Sequence, residues 1–233
     1  MDVTIGQYTF SILDIGAFLW FLCLVISFHY YADYSGKNAT SLHGASYAHY
    51  RRWMNEVVAR PNRLVDARIL ASLLDSVRFF ASTAILILAG LVTMLGYGKK
   101  GMAVINSLPF AVTDNNLLLW EIKTLLLILI FIYSFFKCTW AIRQYSYVCM
   151  LVGGVPTGVG GATAEHYAEY CAKLITNAAR HSHLSIRAYY FGLALLSWFV
   201  HPVLFIFTST WVIAVLYRRE FRSRVLQFLT ALN

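Results

Sequence analysis

Long apolar runs dominate this chain and predict helices that cross a membrane. A membrane helix needs about 20 mostly apolar residues. Four segments approach or exceed that length: residues 12–31, 79–95, 117–136 and 189–217. The second is expected to end a longer helix that begins near residue 62, because an apolar stripe interspersed with charges leads into it.

The fourth apolar segment leaves two interpretations open. It is longer than one span needs and contains a central His201-Pro202 pair. A single kinked helix is the simpler interpretation, because non-helical backbone at membrane depth must be shielded by protein or water. The alternative is a re-entrant hairpin that returns the C-terminal tail to the cytoplasm.

The stretches between the spans predict two amphipathic helices. In residues 45–59, aromatic and aliphatic side chains recur at three- and four-residue steps, which is typical of a helix that lies in the headgroup plane. Residues 164–181 carry Tyr, Leu and Ala on one side and charges on the other, which indicates a second interfacial or helix-packing segment. We therefore predict an all-α integral membrane protein, one domain over residues 1–233, with four transmembrane helices and two amphipathic interfacial helices.

Composition supports this class and excludes others. Hydrophobic residues make up 59% of the chain and charged residues only 13%, against about 25% charged residues in soluble domains. A disordered chain, a coiled coil and an ordinary soluble enzyme are thereby excluded. The four cysteines form no CxxC pair and have no zinc-site spacing, so we expect free thiols, no metal and no cofactor. No basic-aromatic motif of a nucleic-acid reader occurs, and no nucleic-acid partner is expected.

The distribution of Lys and Arg predicts the orientation. Seven lie between the first two spans, two between the second and third, and five between the third and fourth. The positive-inside rule then places the first and third connections in the cytoplasm of a bacterial inner membrane and the N-terminus outside. The tail RREFRSR carries four more arginines, which strict alternation of four spans would place outside.

Ionisable residues inside a membrane are costly and are candidates for function. Asp14, Glu121 and Lys123 are predicted near the outer ends of their spans and could meet, for example as an Asp14–Lys123 pair. The alternative is that each side chain extends separately to the outer headgroups.

A second set of ionisable residues is predicted at the cytoplasmic interface. His29, Arg78, Lys137, Arg143 and Arg187 lie near the inner ends of their spans. They could form a cationic ring that binds an anion, a lipid headgroup or a partner. The alternative is ordinary topological anchoring.

His201 is predicted near the middle of the fourth segment. A haem ligand, a quinone contact and a proton relay are its functional interpretations. The alternative is a ring that bonds a carbonyl freed by Pro202. Signatures such as HExxH and GxSxG are absent from the chain, so no catalytic residue is assigned and an enzyme is not favoured.

Several short sequences together resemble one membrane family of proteobacteria and plants, the domain of unknown function five-nine-nine. The resemblance covers nearly the whole chain and rests on Leu13-Asp14, His29, VRFFAST with Arg78, Ser134-Phe135-Phe136, Ile142-Arg143 and the closing run from Arg187-Ala188-Tyr189-Tyr190-Phe191 to Leu216-Tyr217. It implies a four-helix membrane organisation and no established reaction. It directs attention to Asp14, His29, Arg78, Arg143 and Arg187.

Three functions are compatible with these features. The first is a non-catalytic accessory subunit of a membrane complex or a homo-oligomeric assembly, whose partners are membrane lipids and other subunits or copies of itself. The second is a small anion channel or transporter with a basic cytoplasmic vestibule. The third is a haem- or quinone-binding redox component that uses His201 and His29.

Overall fold

The protein is almost entirely helical, as predicted. The computed structural model describes residues 2–5, 8–34, 42–107, 116–156, 158 and 160–231. A short antiparallel hairpin comes first, with Val3 opposite Phe10, and its strands are β1 (Asp2–Ile5) and β2 (Tyr8–Ser11). The helices are α1 (Ile12–Tyr34), α2 (Leu42–Ala59), α3 (Leu64–Gly96), α4 (Gly98–Asn106), α5 (Leu117–Gly154), α6 (Gly161–Leu196), α7 (Pro202–Phe221) and α8 (Arg224–Ala231).

Four helical segments are long enough and apolar enough to cross a membrane. They are Ile12–Ala32, Leu64–Gly96, Leu117–Gly154 and Pro202–Leu229. The chain is therefore a multi-pass, all-α membrane protein, which confirms the predicted class. Helix α3, which contains the second predicted span, starts at Leu64, close to the predicted residue 62. The charged, amphipathic segment before the span and the apolar span itself form one continuous helix.

The predicted single helix over residues 189–217 is wrong. Helix α6 ends at Leu196, a 3-10 turn covers Ser197–Phe199, and α7 starts at Pro202. Proline disfavours helical backbone in the residue before it, and His201 is extended, with φ −160° and ψ 136°. Pro202 then takes the first helical position, where its missing N–H costs nothing.

The end of α6 and α7 form an antiparallel hairpin. Near the turn, the Ser197 and Thr208 hydroxyls are 2.6 Å apart. At the open end, Arg187 Nη2 donates to Glu220 Oε2 at 3.1 Å. The chain thus runs along the end of α6 to the turn and returns along α7. This agrees with the alternative interpretation of residues 189–217 as a hairpin.

Three helices extend well beyond the apolar layer. Helices α3, α5 and α6 have 33, 38 and 36 residues, which gives lengths of about 50–57 Å at 1.5 Å per residue. A bilayer's hydrocarbon core is about 30 Å thick. Each helix is therefore at least about 20 Å longer than the apolar layer. The excess length of all three lies at the end of the molecule where they pack with α2, and we call these parts of α3, α5 and α6 the projecting halves.

The projecting halves and α2 share a core of their own. It includes Met54 and Val57 of α2, Leu70 of α3, Val148 of α5 and Ile175 of α6. The predicted amphipathic segment 45–59 lies within α2, whereas segment 164–181 is the first part of the longer helix α6; the apolar faces of both meet in this core. The apolar face of α2 is therefore covered by protein, mainly by α6, instead of by lipid headgroups.

The C-terminal tail lies on the side of the projecting halves. Helix α8 packs beside α2, and His49 Nε2 donates to the carbonyl of Leu229 at 2.9 Å. The arginine-rich tail therefore joins the two other basic connections on one side of the membrane. Among the basic residues of the first connection, Lys37 lies outside the described residues.

Candidate functional site

A buried ion pair joins three elements at the end of the membrane layer opposite the projecting halves. Lys123 Nζ, in the second turn of α5, is 3.2 Å from Asp14 Oδ1, in the first turn of α1, and both side chains are only 6% exposed. The predicted contact between Asp14 and Lys123 is thus present. Glu121, two residues earlier on α5, is half-buried.

Trp198 is the third member of this site, and no pattern in the sequence indicated its role. Its indole Nε1 donates to Asp14 Oδ1 at 2.6 Å, and its carbonyl accepts from Lys123 Nζ at 3.1 Å. The Lys123 ammonium also lies 4.7 Å from the centre of the indole ring, where a desolvated cation is favourably placed. Trp198 stacks on Phe18 and Phe205, so apolar rings surround the polar atoms.

Asp14, Lys123 and Trp198 together hold three parts of the chain in contact, and we call this group the Asp14–Lys123 clasp. Opposite charges in a water-poor environment neutralise each other, and three further polar or cation–π contacts compensate for their desolvation. The turn after α6 is thereby attached to both α1 and α5. In the structure the pair is closed, and its chemistry is that of a structural contact.

The predicted cationic ring does not form a single site. Arg187 is largely buried: its Nη2 donates to Glu220, and its guanidinium lies 5.3 Å from the centre of the Phe28 ring. Arg78 is exposed and donates to Asp75 at 3.0 Å, one turn earlier on α3.

Two members of the predicted ring share a cavity. His29 and Arg187 line the same cleft between α1, α5 and α6. Arg143 is exposed on α5 and, like Arg78, is not among the described residues that line that cleft.

His201 lies in the hairpin turn, so its predicted mid-membrane position is wrong. Its Nδ1 accepts a hydrogen bond from the Val203 N–H at 3.0 Å and caps α7. The predicted bond between its ring and a freed carbonyl is replaced by this cap, because the first N–H groups of a helix lack backbone acceptors.

His201 is also far from His29. His201 belongs to the turn that contacts Asp14, and His29 is fifteen residues further along α1, or about 22 Å at 1.5 Å per residue. The two imidazoles therefore lie at well-separated levels along α1. They cannot ligate one haem together.

A second buried carboxylate organises the projecting half. Asp66, near the start of α3, is buried and accepts hydrogen bonds from Trp53 Nε1 at 2.8 Å and Arg60 Nη1 at 3.1 Å. Beside it, Arg63 donates to four carbonyls near the ends of α2 and α5, those of Val57, Val58, Val152 and Val155. A cation at two helix C-termini is stabilising, so this corner holds α2, α3 and α5 together.

The cysteines contribute packing. All four are free, and Cys138 and Cys171 are buried. Burial raises the pKa of Cys171 to about 11, so its thiol is protonated at neutral pH. In the part of the chain that the structure describes, no group of three or more His, Cys, Asp or Glu residues could hold a metal ion.

Comparison with known proteins identifies a family. A family model described as "Protein of unknown function, DUF599" matches residues 16–225, as the resemblance predicted. No curated protein and no solved structure matches the chain.

Proposed function

We propose that this chain, which belongs to the DUF599 family, is a non-catalytic component of a bacterial inner-membrane assembly. It acts either as an accessory subunit of a larger complex or as a homo-oligomer. Its partners are lipids and other membrane subunits or copies of itself. The projecting halves of α3, α5 and α6 lie in the cytoplasm, and the N-terminus lies outside.

Exposed apolar side chains on the projecting halves carry this proposal. Leu64 is 77% exposed and its neighbour Val65 is also exposed, at the start of α3. They precede Phe79, the first apolar residue of the predicted span, by about 22 Å of helix. On the adjacent helix α5, Met150 is 65% exposed. Lipid accounts for exposed apolar residues within a span. Leu64 and Val65 precede the predicted span, which makes them candidates for a protein contact if they belong to a continuous apolar surface.

The ionisable candidates support a structural role. Asp14 is neutralised by Lys123, and Arg187 is paired with Glu220. His201 uses a ring nitrogen to cap α7. The two ion pairs attach helices to one another, and the His201 cap stabilises the start of α7. Such structural roles are expected of a scaffold. They give no specific support to the anion-channel or redox alternatives.

The basic residues support the proposed orientation. The first connection, the α5–α6 region and the tail lie on one side of the membrane layer, and they carry most of the Lys and Arg. Short basic connections are retained in the cytoplasm. The opposite side has Lys99 and Lys100 in α4.

Native mass measurement after mild detergent extraction tests the proposal. We expect either a complex with a different chain or a homo-oligomer whose mass is two or more times 26.4 kDa. Val65→Lys places a charge among the exposed apolar residues and should weaken that assembly. Asn177→Lys, at an exposed polar position on the projecting half of α6, is the matched control and should leave it intact.

Two results distinguish the accessory role from self-assembly, and a third contradicts the proposal. A hetero-complex assigns the accessory role, and a homo-oligomer assigns self-assembly. A monomer that persists at the lowest usable detergent concentration, together with identical behaviour of Val65→Lys and Asn177→Lys, would refute an assembly role.

A further inference from the structure

A narrow cleft lies between α1, α5 and α6 within the membrane layer. Its volume is about 330 Å³. Its walls are aliphatic and aromatic and include Phe21, Val25, Ile130 and Phe191, whereas His29 and Arg187 lie at one end. Helix α1 packs mainly on α7, which leaves this space beside α5.

The length of the cleft matches one leaflet. Along α1 it extends from Phe18 to His29, which is about 16 Å at 1.5 Å per residue. Half of a hydrocarbon core of about 30 Å is about 15 Å. An extended acyl chain of the leaflet on the tail side therefore fits with its ester end beside His29 and Arg187.

The polar end of the cleft favours an anion. In the described part of the chain, Arg187 donates a single side-chain hydrogen bond, from Nη2 to Glu220. A guanidinium has five N–H donors, so Arg187 has donors beyond the one that Glu220 accepts. Lys137 is not among the described residues that line the cleft, but its Nζ lies 5.2 Å from the centre of the ring of Tyr133, which does.

The charges at this end complement a phosphate. Glu220 balances the charge of Arg187, and Lys137 beside Tyr133 supplies a further positive charge in this region of the molecule. Arginine binds phosphate through charge-assisted hydrogen bonds. An aromatic and aliphatic wall below a basic end is thus complementary to an anionic phospholipid in both parts of the lipid.

We propose that this cleft binds one anionic phospholipid of the leaflet on the tail side, with an acyl chain between α1 and α5 and the phosphate on Arg187. The site goes beyond the proposed assembly role. It depends on contacts within one chain and is separate from the exposed residues at the start of α3.

Lipid titration of the purified, delipidated full-length protein tests the site by native mass spectrometry. The probes are phosphatidylglycerol and phosphatidylethanolamine with identical acyl chains. Both lipids carry the phosphate that Arg187 would bind, but only phosphatidylethanolamine also carries an ammonium, which the cations near this end would repel. We therefore expect the protein to retain one phosphatidylglycerol about tenfold more tightly, a difference of about 1.4 kcal/mol. Equal affinity for both lipids would overturn the assignment of an anionic ligand.

Two variants test the two parts of the lipid separately. Val25→Trp fills the cleft and should abolish retention, whereas Ile26→Trp, at the next residue and exposed, should retain the lipid as the wild type does. Arg187→Gln combined with Glu220→Gln removes both charges together, so no buried charge is left unpaired, and it should remove the preference for phosphatidylglycerol.

The remaining outcomes overturn the proposal. Wild-type retention in Val25→Trp would show that the lipid binds elsewhere. A change in oligomer mass in Val25→Trp but not in Ile26→Trp would assign the cleft to a second copy of the chain. Undiminished preference in the double variant would remove Arg187 from the site.

Discussion

Disruption of the Asp14–Lys123 pair is expected to show how strongly the hairpin turn is held. Lys123→Met keeps most of the length of the side chain and removes its charge. The Asp14 carboxylate then retains Trp198 Nε1 as its one side-chain donor among the described residues. Asp14→Asn keeps an acceptor for Trp198 and removes the carboxylate that pairs with the buried Lys123 ammonium.

The expected magnitude follows from burial. Removal of one partner of a buried ion pair costs about 3–5 kcal/mol, because it leaves an uncompensated charge. Removal of both charges leaves no such charge, and neutral pairs of similar volume are often as stable as the ion pair. The combination of Asp14→Asn and Lys123→Met should therefore lie within about 1 kcal/mol of the wild type, far from the sum of the single variants.

Unfolding in mixed micelles provides the assay. The free energy of unfolding is measured by titration with a denaturing detergent for the wild type, both single variants and the double variant. Asp75→Asn is the matched control, because its pair with Arg78 is exposed and should contribute about 0–1 kcal/mol.

Two results would refute this reasoning. Single variants as stable as Asp75→Asn would mean that water or lipid headgroups solvate the pair. Additive losses in the double variant would mean that the two side chains stabilise the hairpin independently. Either result would mean that the Asp14–Lys123 pair does not hold the hairpin turn in place as one unit.

Three further perturbations have expected outcomes. Gly192→Ala should be about 1–3 kcal/mol less stable than Gly90→Ala in the same assay, because a Cβ at Gly192 would lie 2.9 Å from the Phe131 ring, whereas Gly90 has open space; equal stabilities would refute the close packing. His201→Ala should cost about 1 kcal/mol and His201→Asn should restore most of it, since asparagine can also cap α7; equal losses would contradict the cap. In inside-out vesicles at pH 7, a membrane-impermeant maleimide should modify Cys149 and spare Cys171, whose pKa of about 11 and burial protect it; peptide mapping that finds the reverse would contradict the structure.

The architecture was predictable wherever one physical signal extends over many residues. Apolar length identified the membrane class, and the apolar stripe before residue 79 placed the start of α3 within two residues of Leu64. Similar depth along α1 and α5 was enough to bring Asp14 and Lys123 together as one of two possibilities. Long-range averages thus captured helices and approximate levels.

The hairpin and its contacts depend on local events that such averages miss. Hydropathy remains high from residue 189 to residue 217 although the helix ends at Leu196, because the broken backbone is shielded by Phe18, Phe199 and Phe205. His201-Pro202 was the visible signal, and it was interpreted as a kink. The role of Trp198 was not predicted, since sequence alone does not show that its N–H meets Asp14.

The helix break and the basic tail have a common explanation. Four uninterrupted spans bring both ends of a chain to one side, and here that would separate the tail from the other basic connections. In the structure, α1, α3 and α5 cross in alternate directions, and the end of α6 and α7 add an ascending and a descending segment between the levels of Arg187 and Trp198. The descending segment brings the tail beside α2. The three regions that carry most of the Lys and Arg then lie on one side of the molecule, as the positive-inside rule expects of a multi-pass protein. The Asp14–Lys123 clasp becomes the contact that stabilises the turn on which this topology depends.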